Sequence, residues 1–578
     1  MSVPLLLAGV WARITSLLPA RGDLDQMRRD PRRDLLAGLT VAIVALPLAL
    51  GFGVSSGLGA EAGLATAVVA GALAAVFGGS NLQVSGPTGA MTVVLVPIVA
   101  DHGASGVLTV GLMAGVILVV LALLRAGGSM RYVPAPVVEG FTLGIACVIG
   151  LQQVPNALGV PMPEGDRVLV VAWRAFEEFA RTPDWTAVAL ALSVAAVMLI
   201  GARLRPTVPF SILAVIAATF VVQVAGLDGV RPIGDLPSGL PAPSLAFLDT
   251  GALAGLVAPA VAVAALAALE SLLSASVADG MTVGQRHDPD RELFGQGLAN
   301  IASPLFGGVP ATGAIARTAV NVRTGATSRL AALAHAAVLA GIVFAAAPLV
   351  SKIPLAALAG VLLATAVRMV EVGSLRAMAR ATRSDGLVLV LTAVATLALD
   401  LVLAVIIGLA VAGLLALGAV ARQAHLAPLP LDQGDHTEEE RELLAEHIVA
   451  YRVDGPLFFA AAHRFLLELT ELADVRVVIL RLSHVSVVDA TGALVLKDAV
   501  AKLRRRGIVV MVSGVRPGHR KVLDSVGALE SLRDEGREHA TTPEAIRAAR
   551  DHLELTGVLP APRAPQPAAA PTRPPNGP

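Results

Sequence analysis

The stretch that decides the fold occurs twice. It reads Phe77-Gly78-Gly79, followed by Pro87-Thr88-Gly89-Ala90, and later Phe306-Gly307-Gly308, followed by Pro310-Ala311-Thr312-Gly313-Ala314. In each copy the apolar segment that follows is unusually short for a membrane span. Short segments interrupted by glycine and proline, at matching places in two halves of a chain, are typical of a transporter binding site. Two unrelated kinks are the alternative, but unrelated kinks rarely share residues at a repeat spacing.

The composition around this repeat is that of a membrane protein. Apolar residues make up 55% of the 578 residues and charged residues only 15%, whereas soluble domains carry about 25% charged residues. The net charge is zero, which argues against a nucleic-acid partner. The single cysteine, Cys147, excludes an intramolecular disulfide framework and a zinc site built from several cysteines. Histidines without ligand spacing predict no metal site.

Hydropathy predicts fourteen apolar segments. They lie near residues 35–57, 61–78, 87–101, 105–125, 133–155, 185–203, 207–226, 251–278, 292–307, 312–324, 328–349, 353–370, 385–400 and 401–422. With a cytoplasmic N-terminus, the loops after even-numbered segments are rich in arginine, and the loops after segments 5 and 7 carry more acids than arginines. This alternation agrees with the positive-inside rule for fourteen spans. It predicts that both termini are cytoplasmic.

The segments divide the chain into four regions. Residues 1–33 form a cytoplasmic N-terminal segment with an amphipathic helix over 11–20, and residues 34–424 form the transmembrane domain. Residues 437–555 alternate strand and helix patterns, which predicts a small α/β domain. The Pro/Ala-rich tail, 556–578, is expected to be disordered. Within the α/β domain, strands are expected at 451–453, 475–482 and 508–513, and helices at 494–506 and from 520.

The repeat also predicts the charge of the substrate. Residues 83–87 and 309–311 read as extended, and each leads into a helix that begins within the membrane. The two copies are seven segments apart, an odd number, so they have opposite orientations. Two helix N-termini that face each other bring partial positive charges and free backbone N–H groups to one place. Such a place binds an anion.

Two charged residues stand inside apolar segments. Arg317 lies one turn into the second short helix and could add a full positive charge to the anion site. Glu270, in segment 8, is a candidate proton carrier or cation ligand, with Ser274 one turn further on the same face. The structural alternatives are an Arg317 satisfied by backbone carbonyls or by an acid, and an ion pair between Glu270 and Arg317.

Three motifs resemble the SulP sulfate-permease family of anion transporters, which includes the vertebrate anion exchangers and prestin. They are Leu46-Pro47-Leu48-Ala49-Leu50-Gly51-Phe52-Gly53, Val84-Ser85-Gly86-Pro87-Thr88 and the stretch Pro310 to Thr318. The resemblance spans residues 34–530, and it implies a polytopic α-helical fold of fourteen segments in a seven-plus-seven inverted repeat. Segments 1–4 and 8–11 would form a core domain and segments 5–7 and 12–14 a gate domain. An elevator-like motion and a homodimer are further implications.

The family's site residues carry over by position. Leu48 and Phe52 match the site on the first helix, and many relatives have glutamine where this chain has Leu48. Thr88, Ala316 and Arg317 match positions on the facing short helices. Together with Gly89, Ala90, Thr312, Gly313 and Ala314 of the repeat, these residues form the candidate substrate-binding set. Glu270 stands where sodium-dependent bicarbonate members carry aspartate, and its greater length resembles the proton-coupled versions of the fold.

The C-terminal α/β domain resembles a STAS domain. Its segment Val487 to Gly492 matches the loop that carries a phosphorylated serine in anti-sigma antagonists, and Ala490 occupies that position. Thr491 remains a possible acceptor, so Asp489 and Thr491 are the regulatory candidates. An unmodified turn is the alternative, because the expected hydroxyl is absent. A cytoplasmic protein that binds this domain is an expected partner.

The sequence thus favours a secondary active transporter rather than an enzyme, located in a bacterial inner membrane. The expected activity is symport of a small anion with H+ and without a cofactor; a dicarboxylate such as fumarate, bicarbonate and sulfate all remain candidates. The alternatives are a sodium-coupled bicarbonate symporter, an anion exchanger, and an anion sensor that signals through the STAS domain. A nucleobase–cation symporter is disfavoured, since a neutral base needs no cationic anchor.

Overall fold

The chain divides into two compact units, Met1–Ala412 and Gly413–Pro578. A computed structural model describes residues 12–165, 167–205, 208–227, 229–234, 236, 239–399, 401–423, 425–429, 447–459 and 475–558. The predicted disordered tail lies almost entirely outside these ranges.

The first unit is helical. Residues 12–17 form a short helix. Within the described residues, this helix is shorter than the one predicted over 11–20. The helices that follow are α1 (Arg21–Met27), α2 (Pro31–Ser55), α3 (Ala60–Phe77), α4 (Gly89–Leu123), α5 (Ala135–Gln152), α6 (Val154–Ala157), α7 (Val168–Arg181), α8 (Trp185–Leu204), α9 (Phe210–Ala225), α10 (Leu253–Gly280), α11 (Pro289–Leu305), α12 (Ile315–Arg323), α13 (Leu330–Val350), α14 (Leu355–Met369), α15 (Val372–Ala381), α16 (Arg383–Ala398) and α17 (Leu401–Ala421). Two short strands, β1 (Ser85–Gly86) and β2 (Thr312–Gly313), interrupt them.

A helix occupies each of the fourteen predicted apolar segments. Segments 3 and 4 are the two parts of α4, which breaks at Gly103, where φ is 66° and ψ is −171°. Such a positive φ costs glycine little. Among the described helices, nine are long and apolar enough to cross a membrane, and Phe210–Ala225 is a shorter apolar helix. The fold is therefore that of a polytopic membrane protein.

The helices of this unit pack in two groups. In one group α11 packs against α3 and α4, α10 packs against α4, and α13 packs against α2 and α3. In the other group α16 packs against α5, and α14 packs against α5 and α8. Small residues allow the close approaches: a Cβ on Gly63 of α3 would lie 2.0 Å from the carbonyl oxygen of Ala49 on α2. The first group includes the helices of segments 1–4, 8, 9 and 11, and the second includes those of segments 5, 6, 12 and 13. The division into core and gate domains stays a prediction.

Helix α7 was not expected from the sequence. Residues 168–181, within the loop predicted after segment 5, form α7. The charged residues of this stretch indicated a loop because they lowered its mean hydropathy. They all fall on one side of the helix, however, and most of the apolar residues fall on the other sides.

The second unit contains a six-stranded sheet. Its strands are β3 (His425–Leu429), β4 (Ile448–Leu457), β5 (Val477–Arg481), β6 (Val485–Val488), β7 (Val509–Ser513) and β8 (Glu538–His539), and its helices are α18 (Ala490–Arg505), α19 (Pro517–Ser525), α20 (Glu530–Asp534) and α21 (Thr542–Leu555). The strand order is β3-β4-β5-β7-β8, with β6 paired to β4. β3 is antiparallel to β4, and the other pairs are parallel. The sheet therefore begins ahead of the predicted boundary at residue 437.

Candidate anion-binding site

The two copies of the repeat meet at a short antiparallel crossing. Ser85 pairs with Gly313 and Gly86 with Thr312, and the N–H of Ala314 donates to the carbonyl of Val84 over 2.9 Å. The crossing is followed on one side by α4 and on the other by α12. The N-termini of α12 and of the first part of α4, with their free backbone N–H groups, are thereby brought to one place.

Glu270 of α10 is bound to both sides of this crossing. Its Oε2 accepts hydrogen bonds from the hydroxyl of Thr88, over 2.8 Å, and from the hydroxyl of Thr312, over 2.6 Å. The next residue, Ser271, accepts a bond of 3.0 Å from the backbone N–H of Gly313. Helix α10 therefore places one carboxylate directly between the starts of the two short helices.

Arg317 lies behind the crossing and is 1% exposed. Its Nη2 donates to the carbonyl oxygen of Pro87 over 3.0 Å, and its Nη1 has no hydrogen-bond partner among the described residues. A Cβ on Gly86 would lie 2.4 Å from Nη1, so the glycine leaves room for the guanidinium. In the described part of the chain Arg317 forms no ion pair with Glu270. The structural alternative of a direct pair is thus not observed.

Among the described residues, Ser274 forms no hydrogen bond with the Glu270 carboxylate. Its hydroxyl forms a bond of 3.0 Å with that of Thr318 on α12. Thr318 in turn accepts a bond of 3.1 Å from the N–H of Val84, ahead of the crossing. Ser274 therefore connects α10 to α12, and its role with a coupling ion stays a prediction.

The other candidate residues lie on α2 and α4, in β2 and at the start of α12. Leu48 and Phe52 are buried on α2, and a Cβ on Gly89 would lie 3.1 Å from Cε1 of Phe52. Ala90, Gly313 and Ala314 are also buried. Ala316, on the first turn of α12, is the exposed member of the set. The wall contributed by α2 is apolar, since Leu48 supplies no hydrogen-bonding group.

A second buried carboxylate supports the crossing, and the sequence did not reveal it. Glu292 of α11 is 2% exposed. Its Oε2 accepts from the backbone N–H groups of Gly79, at 2.9 Å, and Ser80, at 3.0 Å. Its Oε1 accepts from the side-chain amides of Gln83, at 2.8 Å, and Gln296, at 3.1 Å. Three of these four donors belong to the segment that leads into β1, so Glu292 holds that segment against α11.

Helix α11 also holds both strands of the crossing. The Gln296 amide donates to the hydroxyl of Ser85 in β1. Asn300 forms two bonds with Ala311, just ahead of β2: its Nδ2 donates to the carbonyl over 2.9 Å, and its Oδ1 accepts from the N–H over 2.8 Å. The crossing is therefore held by α11 as well as by α10.

In the second unit, Asp489 caps helix α18. Its Oδ1 accepts from the N–H of Gly492 over 2.7 Å, and its Oδ2 accepts from the N–H of Phe459 over 3.1 Å. Ala490 and Thr491 are exposed on the first turn. Within the described residues no group of three or more His, Cys, Asp or Glu side chains is placed to hold a metal ion.

Comparison with known proteins agrees with this architecture. Residues 32–392 match the model of the sulfate permease family, and residues 444–544 match that of the STAS domain. The chain belongs to the sulfate permease family. It is therefore a multi-pass membrane anion transporter with a C-terminal STAS domain.

Several relatives resemble it over most of its length. A Bacillus subtilis protein named as a sulfate transporter, YvdB, is 33% identical over 88% of this chain and 95% of its own. The bicarbonate transporter BicA of Synechocystis is 30% identical over 70% of this chain and 72% of its own. A solved cyanobacterial BicA transmembrane domain has a TM-score of 0.59 at 32% identity, covering 67% of this chain and 98% of that one. Murine solute carrier 26 family member A9 shares the fold, with a TM-score of 0.81 at 16% identity, over 93% and 95% of the two chains.

Proposed function

We propose that the protein carries a small anion and a proton together, with Glu270 as the proton carrier. The observation that supports this proposal is the pair of hydroxyl bonds from Thr88 and Thr312 to one carboxylate oxygen. The carboxylate occupies the position at which an anion would face the two helix N-termini. A bound anion and an ionised Glu270 therefore compete for the same donors.

The competition supplies the coupling. Two unit charges about 4 Å apart repel by about 4 kcal/mol at an effective dielectric of 20, and this corresponds to a change of about a thousandfold in affinity. Protonation of Glu270 removes that repulsion and frees the hydroxyls for the substrate. By reciprocity, a bound anion favours protonation to the same extent. Arg317 keeps the site attractive to an anion when Glu270 is neutral.

The substrate class follows from the polar groups at the site. The relatives named above are a sulfate transporter and bicarbonate transporters. Sulfate requires many hydrogen bonds, and the apolar wall of Leu48 and Phe52 offers none. We therefore place bicarbonate or a dicarboxylate such as fumarate ahead of sulfate. Movement of the α2–α4 and α10–α13 group against the other helices, in an elevator-like manner within a homodimer, would alternate access to the site.

A sodium-coupled symporter is the second candidate. The Glu270 carboxylate and the hydroxyls of Thr88 and Thr312 form a cluster of oxygens within 3.1 Å of one another. Hard cations take such oxygen ligands. In that case Na+ would replace the proton as the charge that neutralises Glu270.

Uptake by proteoliposomes separates the two candidates. Labelled bicarbonate, fumarate and sulfate are offered under an inward proton gradient, an inward sodium gradient, or neither. We expect the proton gradient to drive accumulation in the wild type, and Glu270→Gln to retain anion counterflow without any response to pH. Glu61→Gln, which changes an exposed glutamate on α3, is the matched control. Full gradient-driven uptake by the Glu270→Gln variant would refute the role of Glu270, and a response to sodium alone would favour the second candidate.

A further inference from the structure

Helix α7 exposes a narrow apolar stripe. Leu169, Trp173 and Phe176 follow the spacing of one helix face, and they are 48%, 66% and 52% exposed. The packed side of the helix is a different one: Ala172 and Ala175 are buried there. The stripe is therefore additional to the face that holds α7 on its own unit.

The third side of α7 is charged. It carries Arg174, Glu177, Glu178 and Arg181, all exposed. Trp173 stands at the border, because its indole N–H donates to Oε1 of Glu177 over 2.8 Å while its ring belongs to the stripe. An aromatic ring with one polar edge is typical of the boundary between membrane and water.

Helix α7 is joined directly to a membrane span. On its packed side, at the end of α7, the ring of Phe179 contacts that of Trp185 edge to face, with centroids 5.3 Å apart. Trp185 begins α8, one of the apolar helices long enough to span a bilayer. Leu192 and Ile200 of α8 are exposed, so they face lipid when the helix is in a bilayer. The Phe179–Trp185 contact therefore holds the end of α7 against the start of this span.

We propose that α7 lies flat in the boundary between lipid headgroups and acyl chains, with the Trp173 stripe inserted into the bilayer. A helix at this depth needs one side that packs on the protein, one apolar side that enters the lipid and one charged side that faces water. A second protein fits the stripe less well than lipid does. A stable protein interface needs about 800 Å² from each partner, and three partly exposed side chains of at most about 250 Å² each cannot supply it.

Tryptophan fluorescence tests the depth directly, because the chain has three tryptophans: Trp11, Trp173 and Trp185. The variant Trp11→Phe/Trp185→Phe retains Trp173 alone. It is reconstituted into phosphatidylcholine vesicles brominated at either a shallow or a deep acyl position. We expect shallow bromine to quench Trp173 at least twofold more than deep bromine, and iodide to quench it weakly.

A tryptophan on the charged side of the same helix is the matched control. Replacing all three native tryptophans by phenylalanine and introducing Arg174→Trp should reverse the pattern, with strong quenching by iodide and weak quenching by bromine. Strong iodide quenching of Trp173 would show a solvated stripe, and protection from both quenchers would show a protein cover; either result overturns the proposal. If the double variant does not reconstitute, bromine quenching of wild type minus that of Trp173→Phe gives the same readout. None of these results depends on transport.

Discussion

The Arg317 guanidinium occupies the space that a side chain on Gly86 would need. A methyl group on Gly86 would displace the Nη1 end of a long side chain, and the backbone would not need to move. Gly86→Ala should therefore leave the fold intact and shift the positive charge behind the two helix N-termini. We expect the KM for anion uptake to rise about tenfold or more, since a change of 1.4 kcal/mol in binding is tenfold.

Gly150→Ala is the control for this substitution, because a Cβ there meets no atom within 4 Å. Uptake kinetics and the thermal unfolding midpoint are measured for both variants. A normal KM for Gly86→Ala would show that the position of the guanidinium does not matter to the substrate.

Glu292 gives the second prediction at this scale. Glutamine at this position would replace one acceptor oxygen by an NH2 group that faces N–H donors. We expect Glu292→Gln to lower stability by about 2–3 kcal/mol, as buried donors lose their partner. The surviving protein should show a raised KM, because the segment leading into β1 is released. Glu61→Gln serves again as the exposed control, and an unchanged melting temperature for Glu292→Gln would contradict the four-donor arrangement.

A single important residue could be found in the sequence only where its charge differed from the residues around it. Glu270 and Arg317 stand alone in apolar surroundings, so their importance could be predicted from hydropathy. Glu292 follows Asp288, Asp290 and Arg291 and resembled the end of a charged loop. Glu292 is buried because a segment distant in sequence, Gly79 to Gln83, folds over it. The residues next to Glu292 in the sequence do not predict this burial.

At the scale of elements, the repeat predicted where two helices begin, since glycine and proline limit the backbone locally. The helices at all fourteen apolar segments were likewise predictable from composition. Helix α7 was missed because hydropathy averages over its three different sides. Strands β3, β6 and β8 were missed because they are short and depend on pairing with β4 and β7 rather than on their own pattern.

The start of α13 depends on a residue in another helix. Asp34 of α2 is buried, and its Oδ1 accepts from the N–H groups of Thr327, at 2.6 Å, and Ser328, at 3.2 Å. These donors belong to the turn ahead of α13. Asp34→Ala should lower stability by about 1–3 kcal/mol, because these N–H donors are left without an acceptor. Thermal unfolding checks this value, with the exposed Asp25→Ala as control; equal midpoints for the two variants would disprove it.

At the scale of the first unit, the N-terminal segment is bound to the helices around the β1–β2 crossing. Arg13 pairs with Asp290 at 2.7 Å and donates to the carbonyl of Ala122 at 3.1 Å. Asp23 pairs with Arg291 at 2.6 Å and with Arg329 at 3.4 Å. These partners lie on α11, at the end of α4 and ahead of α13. The segment should therefore move together with the anion site during transport.

The Asp23 cluster predicts how this attachment responds to pH. Partial burial tends to raise the pKa of the Asp23 carboxyl, but the Arg291 hydrogen bond, the Ala20 N–H and the charge of Arg329 together lower it below its usual value. A lowered pKa stabilises the attached state above the ordinary value of about 3.9, and this contribution is lost as the pH falls through the lower value. Asp23→Asn should therefore loosen the attachment of the N-terminal segment at neutral pH and remove its dependence on pH.

Tryptic cleavage after Arg28 or Arg29, in the turn between α1 and α2, measures how far the segment is released. We expect faster cleavage in Asp23→Asn than in Asp25→Asn at low salt, with a smaller difference at high salt because screening weakens the wild-type ion pairs. Equal cleavage rates in the two variants at low salt would show that Asp23 does not hold the segment.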